Sequence, residues 1–568
     1  TYYFLPLLLG ALGLAFHYRK DKKSFWVLMV FFLFTGLALK VYLNERPYEP
    51  RERDYAIVGS FYVFALWIGY GAYALIDWLQ QSSLKKLSLP VGLGLAMLTG
   101  PVLLATQNWD DHDRSGRYTA NAMGKMYLDS CDPNALLFTI GDNDTFALWY
   151  QQNIEHYRQD VRIINTSLFQ TDWYIDDMKK QAFTSAPIPS QLKHEQYRYG
   201  VRDVIAYQET VRDTVDIKTW MNFVASEDQR FKVELNSGQF INAFPAKVVR
   251  IPVDKEAVLR NGIVAAKDAD LIVPYIDIEL KGDFIYKNRL LMLDIIANNN
   301  WERPVYFSGG AFGDDDYLWM KDYLQLDGMV YKLVPIKTPI DPRNPYEMGR
   351  VDAEKMYDIV MSWDWGNSGD PEIYHDTETR RNGITYRSNL ARLADELVRQ
   401  KDYKKAEEVL DLAMEKMPVN LFEYYSLLDP FVWNYYVIDK AEKARQVFEQ
   451  TAQIHREYLD YYASLDLTNQ LENLEEIYSK MNQYEGLVLF VYAYDEPAYY
   501  METRQRFMDD VAQFKALFER VGVDIEKEFL RTKPRESAQD LDSEENSMLD
   551  PEMSPDAGSE MSTENSMP

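Results

Sequence analysis

Apolar residues crowd the first hundred positions of the chain and thin out afterwards. Four runs stand out, at 1–16, 25–41, 57–79 and 89–106, and each is nearly free of charge. The third is long enough to cross a hydrocarbon core of about 30 Å as a helix. The fourth holds Pro90 and Pro101, which membrane helices accept where neighbouring groups satisfy the freed backbone. Helices buried in a soluble core are the alternative, but four such runs with basic loops between alternate pairs argue against it. The loops 17–23 (HYRKDKK) and 82–88 (SSLKKLS) both belong on the cytoplasmic side by their Lys and Arg content. About four crossings then place loop 44–55, and everything after 106, outside. Lys40, near the outer end of its run, reads as a snorkelling side chain.

Beyond 106 the periodicity changes. The runs 135–140 (ALLFTI), 161–165 (VRIIN) and 304–307 (PVYF) read as strands. The stretches 146–157, 171–181 and 288–298 read as helices, with Thr171 or Asp172 as an N-cap. Strand–helix–strand order at this spacing predicts a soluble α/β domain with a parallel sheet over 107–385. Within it, 187–283 is richer in Thr, Val and Lys and reads as an insertion with β-structure. From 386 to 532 the pattern is helical. Leu393, Leu397 and Tyr403 precede Ala406, Leu410 and Ala413, and Pro418 follows; this spacing matches the back half of a tetratricopeptide repeat (TPR). Ala444, Phe448 and Thr451 echo it more weakly, and a generic helical bundle stays open. The last segment, 533–568, is an acidic tail with no Lys or Arg after 535, and its composition predicts disorder. Domain boundaries are thus expected near 106, 385 and 532.

Composition sharpens this picture in three ways. At 568 residues the chain needs two or three cores. A net charge of −27 argues against nucleic acid as a partner, since backbone binding needs clustered Lys and Arg. Cys131 is the one cysteine, so no disulfide forms within the chain. The 41 Tyr and 12 Trp suit membrane interfaces, sugar-binding surfaces and ordinary packing alike. The chain opens on Thr1 inside an apolar run, with no basic region before it, and reads as the C-terminal portion of a longer protein.

Three groups of residues are candidates for chemistry. The outer loop carries Arg46, Arg51 and Arg53, whose guanidinium groups match phosphate geometry, alongside the acids Glu49, Glu52 and Asp54, which can pair with them or hold a divalent cation. An interfacial charge network is the plainer reading of that loop. Asp142, Asn143 and Asp144 follow Gly141 at the carboxyl end of a predicted strand, where open α/β sheets bind ligands; they suit a hard cation or a simple helix cap. Asp110, His112 and Asp113, with Arg114 and Arg117 close by, are candidate metal ligands or solvated ion pairs. No Ser-His-Asp order, CxxC pair, Walker loop or HExxH motif is present, which argues against a self-contained hydrolase or nucleotide enzyme.

The runs YLNERPYEPRERDYAIVGSFY (42–62), QNWDDHDRSGRYTA (107–120), LFTIGDNDTFALWY (137–150) and TDWYIDDMK (171–179) resemble a family of large bacterial inner-membrane proteins common in the Bacteroidetes. Its membrane region is similar to that of the transmembrane protein O-mannosyltransferases of the GT-C glycosyltransferase superfamily, and members often end in TPR-like repeats. The resemblance implies transfer of a hexose, mannose first, from a polyprenyl-phosphate carrier to Ser or Thr of exported proteins. It also implies a multi-pass protein of the bacterial inner membrane with a periplasmic soluble region. GT-C enzymes keep a catalytic carboxylate in their first extracytoplasmic loop; that loop is expected before Thr1, so no residue of this chain inherits the role. Expected partners are membrane lipid, the lipid-linked sugar, exported acceptor proteins and proteins held by the repeats. The only cofactor in view is a divalent cation. The alternative is a non-catalytic envelope scaffold that binds proteins through its repeats.

Overall fold

The computed structural model describes residues 2–44, 53–83, 85–234, 238, 240–309, 318–340, 348–423, 427–524 and 528–529. The expected tail from 533 lies outside them. The chain divides into two compact units, Thr1–Tyr118 with Asp370–Arg381, and Thr119–Gly369 with Asn382–Pro568.

Apolar helices build the first unit. Lys22–Leu43, Asp54–Gln80 and Lys85–Trp109 are long and apolar enough to cross a membrane. The first helix, Leu5–Lys20, has 16 residues, or about 24 Å at 1.5 Å per residue, short of a hydrocarbon core. Among the described residues there are therefore three helices of spanning length where about four were expected. Leu5–Lys20 and Val58–Gln80 run in the same direction and touch backbone to backbone. A Cβ at Gly13 would overlap the Trp67 carbonyl, and one at Gly71 the Leu9 carbonyl. Small residues allow this approach where no hydrophobic force drives helices together. Buried between these helices, the His17 ring stacks on Tyr70 at 4.1 Å. Trp67 Nε1 can only donate, so at 3.3 Å it makes His17 Nδ1 an acceptor. His17 Nε2 then donates to Ser24 Oγ at 2.7 Å. Two of the spanning helices widen for one π-type turn each, at Phe34–Ala38 and Leu98–Val102. The second contains Pro101, which has no N–H for the regular ladder.

In the second unit, strand β1 (Leu136–Thr139), helix Asp142–Asn153 and strand β2 (Arg162–Asn165) form a parallel crossover. The expected β-rich insertion follows. Its strands are β3 (Val204–Tyr207), β4 (Val215–Asp216), β5 (Lys232–Glu234), β6 (Phe240–Phe244), β7 (Val248–Pro252), β8 (Tyr275–Glu279) and β9 (Phe284–Tyr286), arranged as two small sheets. Helix Lys287–Asn299, buried along nearly its whole length, leads back to β10 (Val305–Ser308), which pairs in parallel with β1. Three more strands, β11 (Leu324–Asp327), β12 (Val330–Leu333) and β13 (Arg350–Val351), complete a six-stranded sheet of order β13-β11-β12-β10-β1-β2.

That sheet is mixed, not parallel throughout: β12 runs antiparallel to both β10 and β11. The cause is a two-residue turn. Gly328 opens it at φ 60, and a Cβ there would strike Ser130 Oγ. Only glycine takes such a position readily, and a two-residue loop can join only antiparallel strands.

Beyond the sheet, consecutive helices pack in pairs: Gly383–Arg399 with Tyr403–Lys416, Asp429–Val437 with Ala441–Ala463, and Leu474–Tyr494 with Pro497–Ala512. Leu393, Leu397, Ala406, Leu410 and Ala413 are buried between the first pair, and Ala444, Phe448 and Thr451 are buried in the next; Tyr403 is exposed.

Candidate functional site

The carboxyl ends of β1 and β10 meet at the start of helix Asp142–Asn153. Asp144 is its third residue and reaches back over the turn. Its Oδ1 accepts from Gly141 N at 3.0 Å, and its Oδ2 accepts from Ile140 N at 2.9 Å and from Ser308 Oγ at 2.7 Å. One carboxylate thus caps the helix and ties β1 to β10. Thr145 Oγ1 donates to the Gly141 carbonyl at 2.5 Å, and Asn165 Nδ2 donates to the same carbonyl at 2.9 Å and to Thr145 Oγ1 at 2.8 Å. Asp142 and Asn143 are exposed beside this closed arrangement. Of the three residues singled out from the sequence, the fold brings Asp144 into a bonded cluster and leaves the other two at the surface.

The other candidates belong to the first unit. His112 ends its helix and donates from Nδ1 to the Asn108 carbonyl at 3.0 Å. Asp113 Oδ1 accepts from Ser115 Oγ at 2.5 Å and from Ser115 N at 2.8 Å, and these bonds hold its carboxyl below the ordinary range. The Asp110 side chain lies outside the described residues. Arg117 pairs with Asp376 at 3.2 Å and lies over the Tyr374 ring at 4.8 Å, and Arg114 reaches the same carboxylate at 3.9 Å. In the outer loop, Arg46, Glu49, Arg51 and Glu52 lie outside the described residues. Arg53 and Asp54 lead into the short 3-10 turn Asp54–Ile57 that opens a spanning helix. Among the described residues, no three His, Cys, Asp or Glu side chains converge to hold a metal ion.

Sequence reasoning missed a buried charged network behind the sheet. Asp132 pairs with Lys332 at 2.5 Å and with Lys355 at 2.8 Å, and Lys355 also meets Asp327 at 2.5 Å. Tyr306 donates its hydroxyl to Asp327 at 3.0 Å, Gln325 Nε2 donates to the other Asp327 oxygen at 2.9 Å, and Lys332 reaches the Gly262 carbonyl at 3.1 Å. Two cations and two anions cancel. Burial pulls the Asp132 carboxyl up, but the Lys332 and Lys355 ammoniums outweigh it and bring the pKa to about 2. Burial likewise pulls Lys355 down, and the Asp327 and Asp132 carboxylates reverse it. With every charge countered, this network locks the β11–β12 hairpin to helix Ala353–Ser362 and to the chain entering β1.

Residues 120–355 match the family described as TMEM260-associated domain 2. The matched stretch runs from the helix before β1 to the helix that carries Lys355, so it takes in the Asp144 cap and the charged network together. No curated protein and no solved structure matches the chain.

Proposed function

We propose that this chain is part of a membrane glycosyltransferase that moves a hexose, mannose first, from a polyprenyl-phosphate carrier to Ser or Thr of exported proteins. The observation that carries this reading is the TMEM260-associated domain, set in one chain with helices of membrane-spanning length. The resemblance of the runs at 42–62, 107–120, 137–150 and 171–179 to the bacterial inner-membrane family, whose membrane region is similar to that of GT-C enzymes, supports it. The acceptor hydroxyl oxygen forms the new bond to C1 of the sugar, the C1–O bond to phosphate breaks, and the hydroxyl proton passes to a base. We assign no residue of this chain as that base. Arg46, Arg51 and Arg53 receive the carrier phosphate as its negative charge develops, and Glu49, Glu52 and Asp54 neutralise them or hold a divalent cation. The protein then sits in a bacterial inner membrane, with the α/β domain and the C-terminal helices in the periplasm. Those helices, read as TPR-like, engage acceptor proteins.

The test compares glycopeptides of periplasmic and outer-membrane proteins from cells with and without the full-length gene. Loss of a hexose from Ser and Thr sites on deletion, and its loss again in an Arg51→Ala/Arg53→Ala double variant that still folds, is the expected outcome. Transfer retained in that variant would remove the arginines from the reaction. A second reading is a non-catalytic envelope scaffold. It is favoured by the groove of about 980 Å³ along helix Ala441–Ala463, lined by Tyr435, Gln446, Gln450, Gln453 and Tyr458. Unchanged glycopeptides, with proteins still held on this region, select it.

A further inference from the structure

Two basic loops lie at one end of the helical unit. Helices Leu5–Lys20 and Val58–Gln80 run in the same direction, and Lys20 Nζ reaches Asp77 Oδ2 at 3.5 Å, so the two finish side by side. Asp21 alone separates the first from the spanning helix Lys22–Leu43, and Val58–Gln80 leads into the spanning helix Lys85–Trp109. Arg19, Lys22, Lys23, Lys85 and Lys86 are exposed at this end.

Both loops are held in place. Asp21 Oδ1 accepts from Lys23 N at 3.0 Å and from Ser24 N at 3.3 Å. Its Oδ2 accepts from Ser24 Oγ at 2.8 Å, and that oxygen in turn accepts from His17 Nε2 at 2.7 Å. Lys85 N donates to the Ser82 carbonyl at 3.3 Å, and Ser88 Oγ donates to the Lys85 carbonyl at 2.9 Å. The Asp77 carboxylate is taken by Lys20 and by Gln81 Nε2 at 3.2 Å. Among the described residues, no carboxylate pairs with Arg19, Lys22, Lys23, Lys85 or Lys86. This end is therefore strongly positive, in a chain whose net charge is −27. The preference of Lys and Arg for the cytoplasmic side accounts for the side on which the loops lie. It does not call for two lysine pairs at the starts of spanning helices, where the helix dipole disfavours a cation that has no anion beside it.

Aromatic rings stand one turn further in. Trp26 follows Lys22 by four residues and Lys23 by three, so it shares their side of the helix, and it is 55% exposed. Trp78, near the end of Val58–Gln80, is 67% exposed. Indole rings settle at the level of lipid headgroups, with their apolar faces inward. Cations outside and rings inside is also the order of phosphate and glycerol in a phospholipid.

We propose that these loops are a docking surface for anionic phospholipids, whose phosphates are received by the Lys22–Lys23 and Lys85–Lys86 pairs and whose glycerol regions lie against Trp26 and Trp78. Clustered cations beside a spanning helix attract acidic lipid at short range, and here the unpaired charges are already positioned. The indole rings favour a lipid over a free anion. This docking rests on the spanning helices and not on sugar transfer, so it stands or falls apart from the glycosyltransferase reading.

The experiment adds dioleoylphosphatidylglycerol or dioleoylphosphatidylcholine, at equal mole fraction, to the purified, delipidated full chain in neutral maltoside micelles. Binding is read as lipid retained through gel filtration, counted by mass spectrometry, and as the rise in melting temperature. Phosphatidylglycerol is retained and raises the melting temperature, phosphatidylcholine does neither, and about 0.5 M salt reduces the first effect. Lys22→Gln, Lys23→Gln, Lys85→Gln and Lys86→Gln combined weaken retention by about tenfold or more. Lys193→Gln, Lys255→Gln, Lys401→Gln and Lys404→Gln combined, at exposed lysines of the second unit, leave it unchanged. If the first fourfold variant fails to fold, its two paired variants decide, and each loses part of the retention. The proposal is overturned if phosphatidylcholine is retained equally, or if the folded loop variants retain phosphatidylglycerol as the wild type does. It is also overturned if inorganic phosphate alone gives the same rise in melting temperature, which would mark a site for a free anion.

Discussion

Two flanks of one sheet treat their polar side chains in opposite ways. At the carboxyl ends of β1 and β10, both Asp144 oxygens are taken by two backbone amides and the Ser308 hydroxyl. At the β2 edge, Arg162 is buried more deeply yet keeps two nitrogens unpartnered. General rules for open α/β sheets point to the first place as the ligand site. A buried polar group whose partners all come from its own chain is holding the fold, whereas one left short is a cost that the surrounding packing offsets.

Substitutions can break or sharpen that contrast. The largest effect is expected at the charged network, the fullest case of internal pairing. Lys355→Met leaves Asp132 and Asp327 underneutralised in the interior and lowers stability by about 3–5 kcal/mol in chemical denaturation. Asp144→Ala removes a helix cap and the tie to Ser308, and costs about 2–3 kcal/mol by the same measurement. If Asp144→Ala instead left stability intact while abolishing activity, the first flank would become the site.

Next comes acid. Asp132 has a folded pKa near 2, below its unfolded value of about 3.9, so its contribution is present above pH 4 and lost as pH falls towards 2. That loss is about 2 kcal/mol, and Asp132→Asn should flatten the stability profile across this window. The smallest effect belongs to the exposed neighbours. Asp142→Asn and Asn143→Ala should shift stability by no more than about 0.5 kcal/mol, and a larger change would show a role that the cap does not explain.

Much of this fold was legible in the chain because its core strands are short apolar runs. ALLFTI became β1, VRIIN became β2 and PVYF became β10, each within a residue or two at its ends. The hairpin was not legible. β11 reads LQLD and β12 reads VYKL, so Gln325, Asp327 and Lys332 give them the look of surface. They are buried because the network neutralises them, and Asp132 meets partners as distant in sequence as Lys332 and Lys355. Asp144 was picked out by its place after a strand, but the hydroxyl that completes its shell comes from Ser308, which no local pattern connects to it. Arg162 was hidden for a simpler reason. An arginine at the start of a strand is ordinary, and only its surroundings show that two of its nitrogens lack partners.

The route of the chain has a consequence for biosynthesis. The polypeptide leaves the first unit at Tyr118, builds the whole α/β sheet, and only then returns with Asp370–Arg381 before departing again. Asp376 and Tyr374, which receive Arg117, are therefore made long after the helices have left the ribosome. The helical unit is finished late, by a strap that arrives once the sheet's strands have been translated. A nascent chain stalled or cleaved before residue 370 would carry its apolar helices without that closure, and Arg117 would be without the Asp376 carboxylate and the Tyr374 ring.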